Sequence, residues 1–142
     1  MKKLLIIVTA FFAALAISSC DKNDLDITNT LTLGKKEYKV DFGAYVDKDG
    51  RYDSDIHFLE ESELEQAWGM MWAVGKVGTY SLPANEEDFI LTKNTYPNYN
   101  IEFKSGTSTS WIEDKRVCLV VDGVLTDGSK FRLSVKSENE SQ

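Results

Sequence analysis

The chain has little of what most catalytic and metal centres are built from. Its 142 residues include one histidine and two cysteines. One histidine excludes any site that needs two, His-pair zinc sites among them. Basic side chains are outnumbered, 16 against 23 acidic, for a formal charge of −7. Nucleic-acid binding needs a basic surface to displace phosphate counterions, so DNA and RNA are not expected partners. Two prolines and 42% hydrophobic residues argue against disorder. The apolar run Leu4 to Ile17 has 14 residues, and a spanning helix needs roughly 20. No cofactor-binding motif is present, and no cofactor is expected.

What is present begins with an address. Lys2 and Lys3 precede the apolar run, and the small residues Ser18 and Ser19 follow it. That three-part order is a secretory signal peptide. Leu15-Ala16-Ile17-Ser18-Ser19-Cys20 resembles the lipobox of bacterial lipoproteins, most closely the Bacteroidetes version. The resemblance implies acylation of Cys20 and cleavage before it, so that Cys20 becomes the N-terminus. Asp21, Lys22, Asp24 and Asp26 resemble the acidic stretch that directs such lipoproteins to the cell surface. The expected location is the outer membrane, anchored by lipid and facing the periplasm or the outside.

Cleavage sharpens the composition. From Cys20 onward the chain has 123 residues, with 14 basic and 23 acidic side chains, so its side chains sum to −9. A domain of that size buries roughly two-thirds of its extended-chain surface, enough for one core. With Cys20 acylated, Cys118 stands alone and no intrachain disulfide is expected. The expected organisation is a signal peptide over 1–19, a lipidated cysteine and tether over 20–29, a β domain over 30–136 and a polar tail over 137–142.

The body reads as mostly antiparallel β, a sandwich or a barrel-like domain, with turn signals every 8–12 residues. Tyr38, Val40, Phe42 and Ala44 recur at period two. Asp47-Lys48-Asp49-Gly50 is a hairpin turn, because Asp-Gly supplies positive φ. Ser62-Glu63-Leu64-Glu65 has the form of a helix capping box. Trp68, Met70, Trp72 and Val74 are spaced by two, so a turn of helix over 61–66 and then a strand is expected. Tyr99, Ile101 and Phe103 alternate, and a Gly/Ser/Thr-rich loop is expected from Ser105 to Ser110. Val117 to Val121 is apolar at every position, the signature of a central strand. Gly43 and Gly123 fall inside strands, where bulges are expected.

Three stretches, Gly-Thr-Tyr-Ser-Leu-Pro, Tyr-Asn-Ile-Glu-Phe-Lys-Ser-Gly-Thr and Val-Asp-Gly-Val-Leu-Thr-Asp-Gly-Ser-Lys-Phe, are similar to those of small Bacteroidetes lipoproteins of unknown function. That resemblance implies a compact β-sandwich or barrel-like domain over roughly 30–136. It brings no catalytic residues with it.

Candidate sites follow from residue type. Asp47, Asp49, Asp53 and Asp55 cluster around Gly50 and offer the hard oxygens that calcium prefers. The register is not that of an EF-hand, and the plainer reading is a solvated hairpin tip. His57 and Cys118 are the only base and thiol available for a nucleophilic dyad, and Cys118 sits in an apolar strand where thiols are inert. Trp111 follows the Gly/Ser/Thr-rich stretch and is expected to be exposed. Tyr96 and Tyr99 flank Pro97 and Asn98 in a polar-aromatic loop. Trp111, Tyr96 and Tyr99 are therefore the candidate ligand-facing residues, since aromatic rings stack on sugars and anchor interfaces. Trp68 and Trp72 are expected in the core. The expected role is a binding or scaffolding module for glycan or protein. A small hydrolase, or a structural or inhibitor-like protein with no small ligand, is the alternative.

Overall fold

The computed structural model describes residues 27–95 and 99–138. Cys20 and Tyr96 lie outside the described residues. Nine strands form one antiparallel, nearly closed barrel-like sheet. They are β1 (Thr30–Leu33), β2 (Lys36–Val46), β3 (Arg51–Phe58), β4 (Met71–Lys76), β5 (Gly78–Leu82), β6 (Phe89–Lys93), β7 (Phe103–Glu113), β8 (Arg116–Leu125) and β9 (Lys130–Lys136). A short helix, α1 (Glu63–Trp68), lies between β3 and β4. The sheet order is β5-β7-β8-β9-β1-β2-β3-β4-β6. Among the described residues no helix is long and apolar enough to cross a membrane.

The period-two pattern explains the interior. Val40, Phe42, Ala44 and Val46 of β2 are buried, as are Tyr52 and Ile56 of β3 and Val117, Leu119 and Val121 of β8. Asp47 holds the first hairpin closed. Its Oδ1 accepts the N–H groups of Asp49 at 2.9 Å and Arg51 at 3.0 Å, and Gly50 takes φ of 85°.

The apolar outer row of β8 has its own cover. Cys118 and Val120 pack under Trp111 and Ile27 as a second cluster outside the barrel. Residues 27–29 are strapped over this face. Thr28 N–H donates to Ser134 Oγ at 3.0 Å, and Lys136 N–H donates to Asn29 Oδ1 at 3.0 Å. The Asn29 carbonyl accepts from Val40 N–H at 3.1 Å. At the other terminus, Ser137 is buried rather than part of a solvated tail. Its Oγ accepts from Val117 N–H at 3.0 Å.

Four local expectations change. Residues 105–110 are strand, not loop, because β7 runs unbroken to Glu113 and pairs with β5 on one side and β8 on the other. Its small polar residues fit because Ser108 and Ser110 point into the barrel, where bulk is limited. The bulge near Gly123 falls on the partner strand, between Phe103 and Ser105. Gly43 pairs in regular register with Asp55, with no bulge. The helix runs through Trp68, so β4 begins at Met71 and buries Met71 and Ala73. Trp72 therefore faces outward, half-buried, between Asp55 of β3 and Thr92 of β6.

Candidate functional site

The end of the barrel where β8 meets β9 carries two adjoining clefts. Helix α1 shapes the first wall. Ser62 caps it, its Oγ accepting from Glu65 N–H at 2.9 Å, which satisfies one of the orphan donors of the first turn. Gly69 ends it at φ of 66°, a left-handed value that glycine adopts at no steric cost. The Trp68 carbonyl then accepts from Asn94 N–H at 3.0 Å. These bonds fix where the Trp68 indole goes. It stacks on Phe131, ring centroids 6.4 Å apart and planes 21° inclined. Lys93 Nζ lies 5.8 Å from the centroid of the indole, within cation–π range.

The second wall is the β8–β9 turn. Leu125 N–H donates to Ser129 O, and Gly128 N–H donates to Leu125 O, both at 2.9 Å. Asp127 Oδ1 accepts from Ser129 N–H at 2.9 Å. Hydrogen bonds from Ser129 hold the Asp127 carboxyl below its ordinary value, so it is a fixed anion.

Between the walls runs the segment 100–102. Ile101 N–H donates to Leu91 O at 2.9 Å, and Thr126 N–H donates to Glu102 O at 3.1 Å. Ile101 points inward and is buried, while Asn100 and Glu102 are exposed. On one side of this ridge is a polar cleft of about 340 Å³ with Trp68, Lys93 and Asp127 in its walls. On the other side is an apolar cleft of about 320 Å³ walled by Leu82, Pro83, Ala84, Phe89, Leu91 and Phe103. Asn100, Ile101, Glu102 and Thr126 line both. Both volumes fall at the small end of the range for ligand pockets.

The structure treats the sequence candidates unequally. Trp111 is buried, not exposed, at 6% accessibility. It sits opposite Cys118 in the β7–β8 register, and its Nε1 donates to Glu113 Oε1 at 3.1 Å. Tyr99 is half-exposed, and its carbonyl accepts from Lys93 N–H. Its ring is not among the walls of either cleft. The four aspartates do not form a cation site. Among the described residues no group of three or more acidic, histidine or cysteine side chains is placed to hold a metal. Asp47 is turned to its own hairpin backbone, chiefly Arg51 N–H, which keeps its carboxyl below the ordinary value. Asp53 and Asp55 lie along the outside of β3.

His57 and Cys118 are not brought together. His57 is on the exposed face of β3, 3.6 Å from Asp55, and β3 is four places from β8 in the sheet. Burial pushes the Cys118 thiol up to about 11. The acidic pair that does share a cleft is Glu102 and Asp127. Glycoside hydrolysis asks one carboxyl of a pair to arrive protonated and the other ionised; the turn-bound Asp127 fits only the ionised role.

Sequence reading passed over Lys93, Asn100 and Glu102. They are single polar residues on separate segments, and only the pairing of β6 with 99–101 brings them together. No family model, curated protein or solved structure matches the chain.

Proposed function

We propose that this protein is a lipid-anchored binding module of the bacterial outer envelope that takes a glycan in the polar cleft at the β8–β9 end of its barrel. The carrying observation is the constellation in that cleft. An indole backed by Phe131 stands beside one amine, one amide and two carboxylate side chains, from Lys93, Asn100, Glu102 and Asp127. Sugars are bound by that combination, with apolar C–H faces against an aromatic ring and hydroxyls against polar groups. A structural protein without a ligand asks for no sizeable pocket, and two clefts are open here.

The anchor and the cleft are arranged compatibly. The strap at residues 27–29 lies over the Cys118 end of β8, and the cleft is at its Leu125 end. Seven residues of strand separate these positions, about 23 Å at the usual rise. The seven steps from Cys20 to Ile27 span at most about 25 Å when fully extended. A lipid on Cys20 would thus keep the strapped end within about 25 Å of the membrane.

One observation favours a second reading, a protein partner on the outer sheet face. Tyr45, Asp53, Val74 and Ile90 form one cross-strand row there, with Trp72 in the next.

The test is a glycan array probed with residues 21–142, which contain every described strand and helix. Binding in the wild type that is lost in Asn100→Ala supports the reading. An array silent for the wild type removes it. Membrane fractionation tests the anchor, since Cys20→Ala should release the protein, and an unchanged membrane fraction would sink that part.

A further inference from the structure

We infer that the two clefts act as one bipartite site, and that the ligand is a small amphiphile whose sugar sits in the polar cleft and whose alkyl or acyl group sits in the apolar one. This rests on the glycan reading and narrows it. The first observation is the shared ridge. Asn100, Ile101, Glu102 and Thr126 line both clefts, so a ligand in one is in contact with residues of the other. The second is the division of chemistry across that ridge. The polar cleft offers Trp68, Lys93 and Asp127. The apolar cleft is walled by the side chains of Leu82, Pro83, Phe89, Leu91 and Phe103.

The third observation is the backbone of the ridge itself. The Ile101 amide and the Glu102 carbonyl are engaged with Leu91 and Thr126. These two main-chain groups are therefore already paired and do not compete for a ligand that crosses the ridge. The exposed Asn100 and Glu102 stand where the polar and apolar parts of such a ligand join. A purely polar ligand would leave the apolar cleft wetted. A purely apolar one reaching across the ridge would take water from Lys93 and Glu102 and offer no hydrogen bond in return, which is unfavourable for charged groups.

The experiment is a chain-length series. Residues 21–142 are titrated with methyl, butyl, hexyl and octyl β-D-glucosides and galactosides, each below its micelle concentration. Binding is followed by the amide resonances of Leu82 and Leu91 and the Trp68 indole N–H. Each added methylene should tighten binding about fourfold until the apolar cleft is full, the factor to which about 0.8 kcal/mol per buried CH₂ converts. Both sets of resonances should move together.

Ala84 is partly buried at the apolar cleft. Ala84→Trp fills that cleft and should abolish the dependence on chain length while its far-ultraviolet circular dichroism stays that of the wild type. Affinity independent of chain length, with only the Trp68 signal moving, would overturn the bipartite site and leave the glycan reading standing. Chain-length dependence that survives Ala84→Trp would also overturn it. No saturable shift with any member of the series overturns the inference, and the glycan array then decides whether the parent reading falls with it.

Discussion

Trp68 lies over Phe131 with ring centroids 6.4 Å apart and planes 21° inclined. Phe131 in turn meets Phe103 edge-on at 5.2 Å. The indole is therefore a wall of the polar cleft and also a cap on the core, and its two roles separate by substitution. Trp68→Ala should cost about 2–3 kcal/mol in chemical denaturation, less than the 3–5 kcal/mol of a fully buried tryptophan because Trp68 is only partly buried. Trp68→Phe keeps a ring on Phe131 and should cost about 1 kcal/mol. A Trp68→Ala variant as stable as wild type would show that the stack contributes nothing.

Gly106 and Gly123 face each other across β7 and β8. A Cβ at position 123 would come 2.4 Å from the Ser105 carbonyl, and one at 106 would come 2.6 Å from Gly123 Cα. Backbone has no room to yield, so Gly123→Ala should lose more than about 2 kcal/mol. Gly128→Ala is the control, since nothing lies within 4 Å of its Cβ position and only its φ of 93° is strained. It should lose about 1 kcal/mol. Equal losses at the two positions would contradict the close-approach account.

Cys118 is the only thiol in residues 21–142. Burial is the main cause of its pKa of about 11, against an ordinary 9.0. The thiolate is the reactive form, so at pH 8 a disulfide reagent should modify it far more slowly in native than in denatured protein. The folded state holds this proton more tightly than the unfolded state. Its contribution to stability is thus complete below pH 9 and is lost as pH rises from 9 to about 11. Native-state labelling as fast as that of denatured protein at pH 8 would contradict the burial.

The Asp47 hairpin has the opposite sign. Hydrogen bonds from the Arg51 backbone lead in lowering its carboxyl below 3.8. The ionised form is favoured by folding, so its contribution is present above pH 3.8 and lost as pH falls through the lowered value. In an acid titration the amide resonances of Asp49 and Arg51 should show a step from Asp47 that is centred below pH 3.8. In Asp47→Asn that step should vanish while the turn persists. A step centred above pH 3.8 would contradict the capping role.

Much of the fold was legible because it rests on local chemistry. Asp47-Lys48-Asp49-Gly50 announces its turn, and the Ser62 cap announces the helix start. Val117 to Val121 shows an apolar strand on both faces, and the strap and Trp111 supply the reason. Trp111 was misread because its neighbours, Ser108 and Ser110, look like loop residues. Their place is set by pairing with Val121 and Leu119 of β8, a relation between distant segments that local composition does not carry. Trp72 was misread through the phase of its strand. The row expected inward was Trp68, Met70, Trp72 and Val74, whereas β4 buries Met71, Ala73 and Gly75, one residue out of phase. The polar cleft was illegible for the same reason, since Trp68, Lys93, Glu102 and Asp127 come from four separate segments.

The most direct test of the central claim uses the three tryptophans as reporters. They occupy three different places, with Trp68 in the cleft, Trp72 on the outer sheet face and Trp111 in the cluster that Ile27 of the strap packs against. Residues 21–142 labelled with 5-fluorotryptophan should give three fluorine resonances, assigned by Trp68→Phe and Trp72→Phe. On titration with the strongest binder from the glycan array, the Trp68 resonance alone should shift and saturate. Movement of Trp72 with Trp68 unmoved would place the ligand on the sheet face and contradict the account.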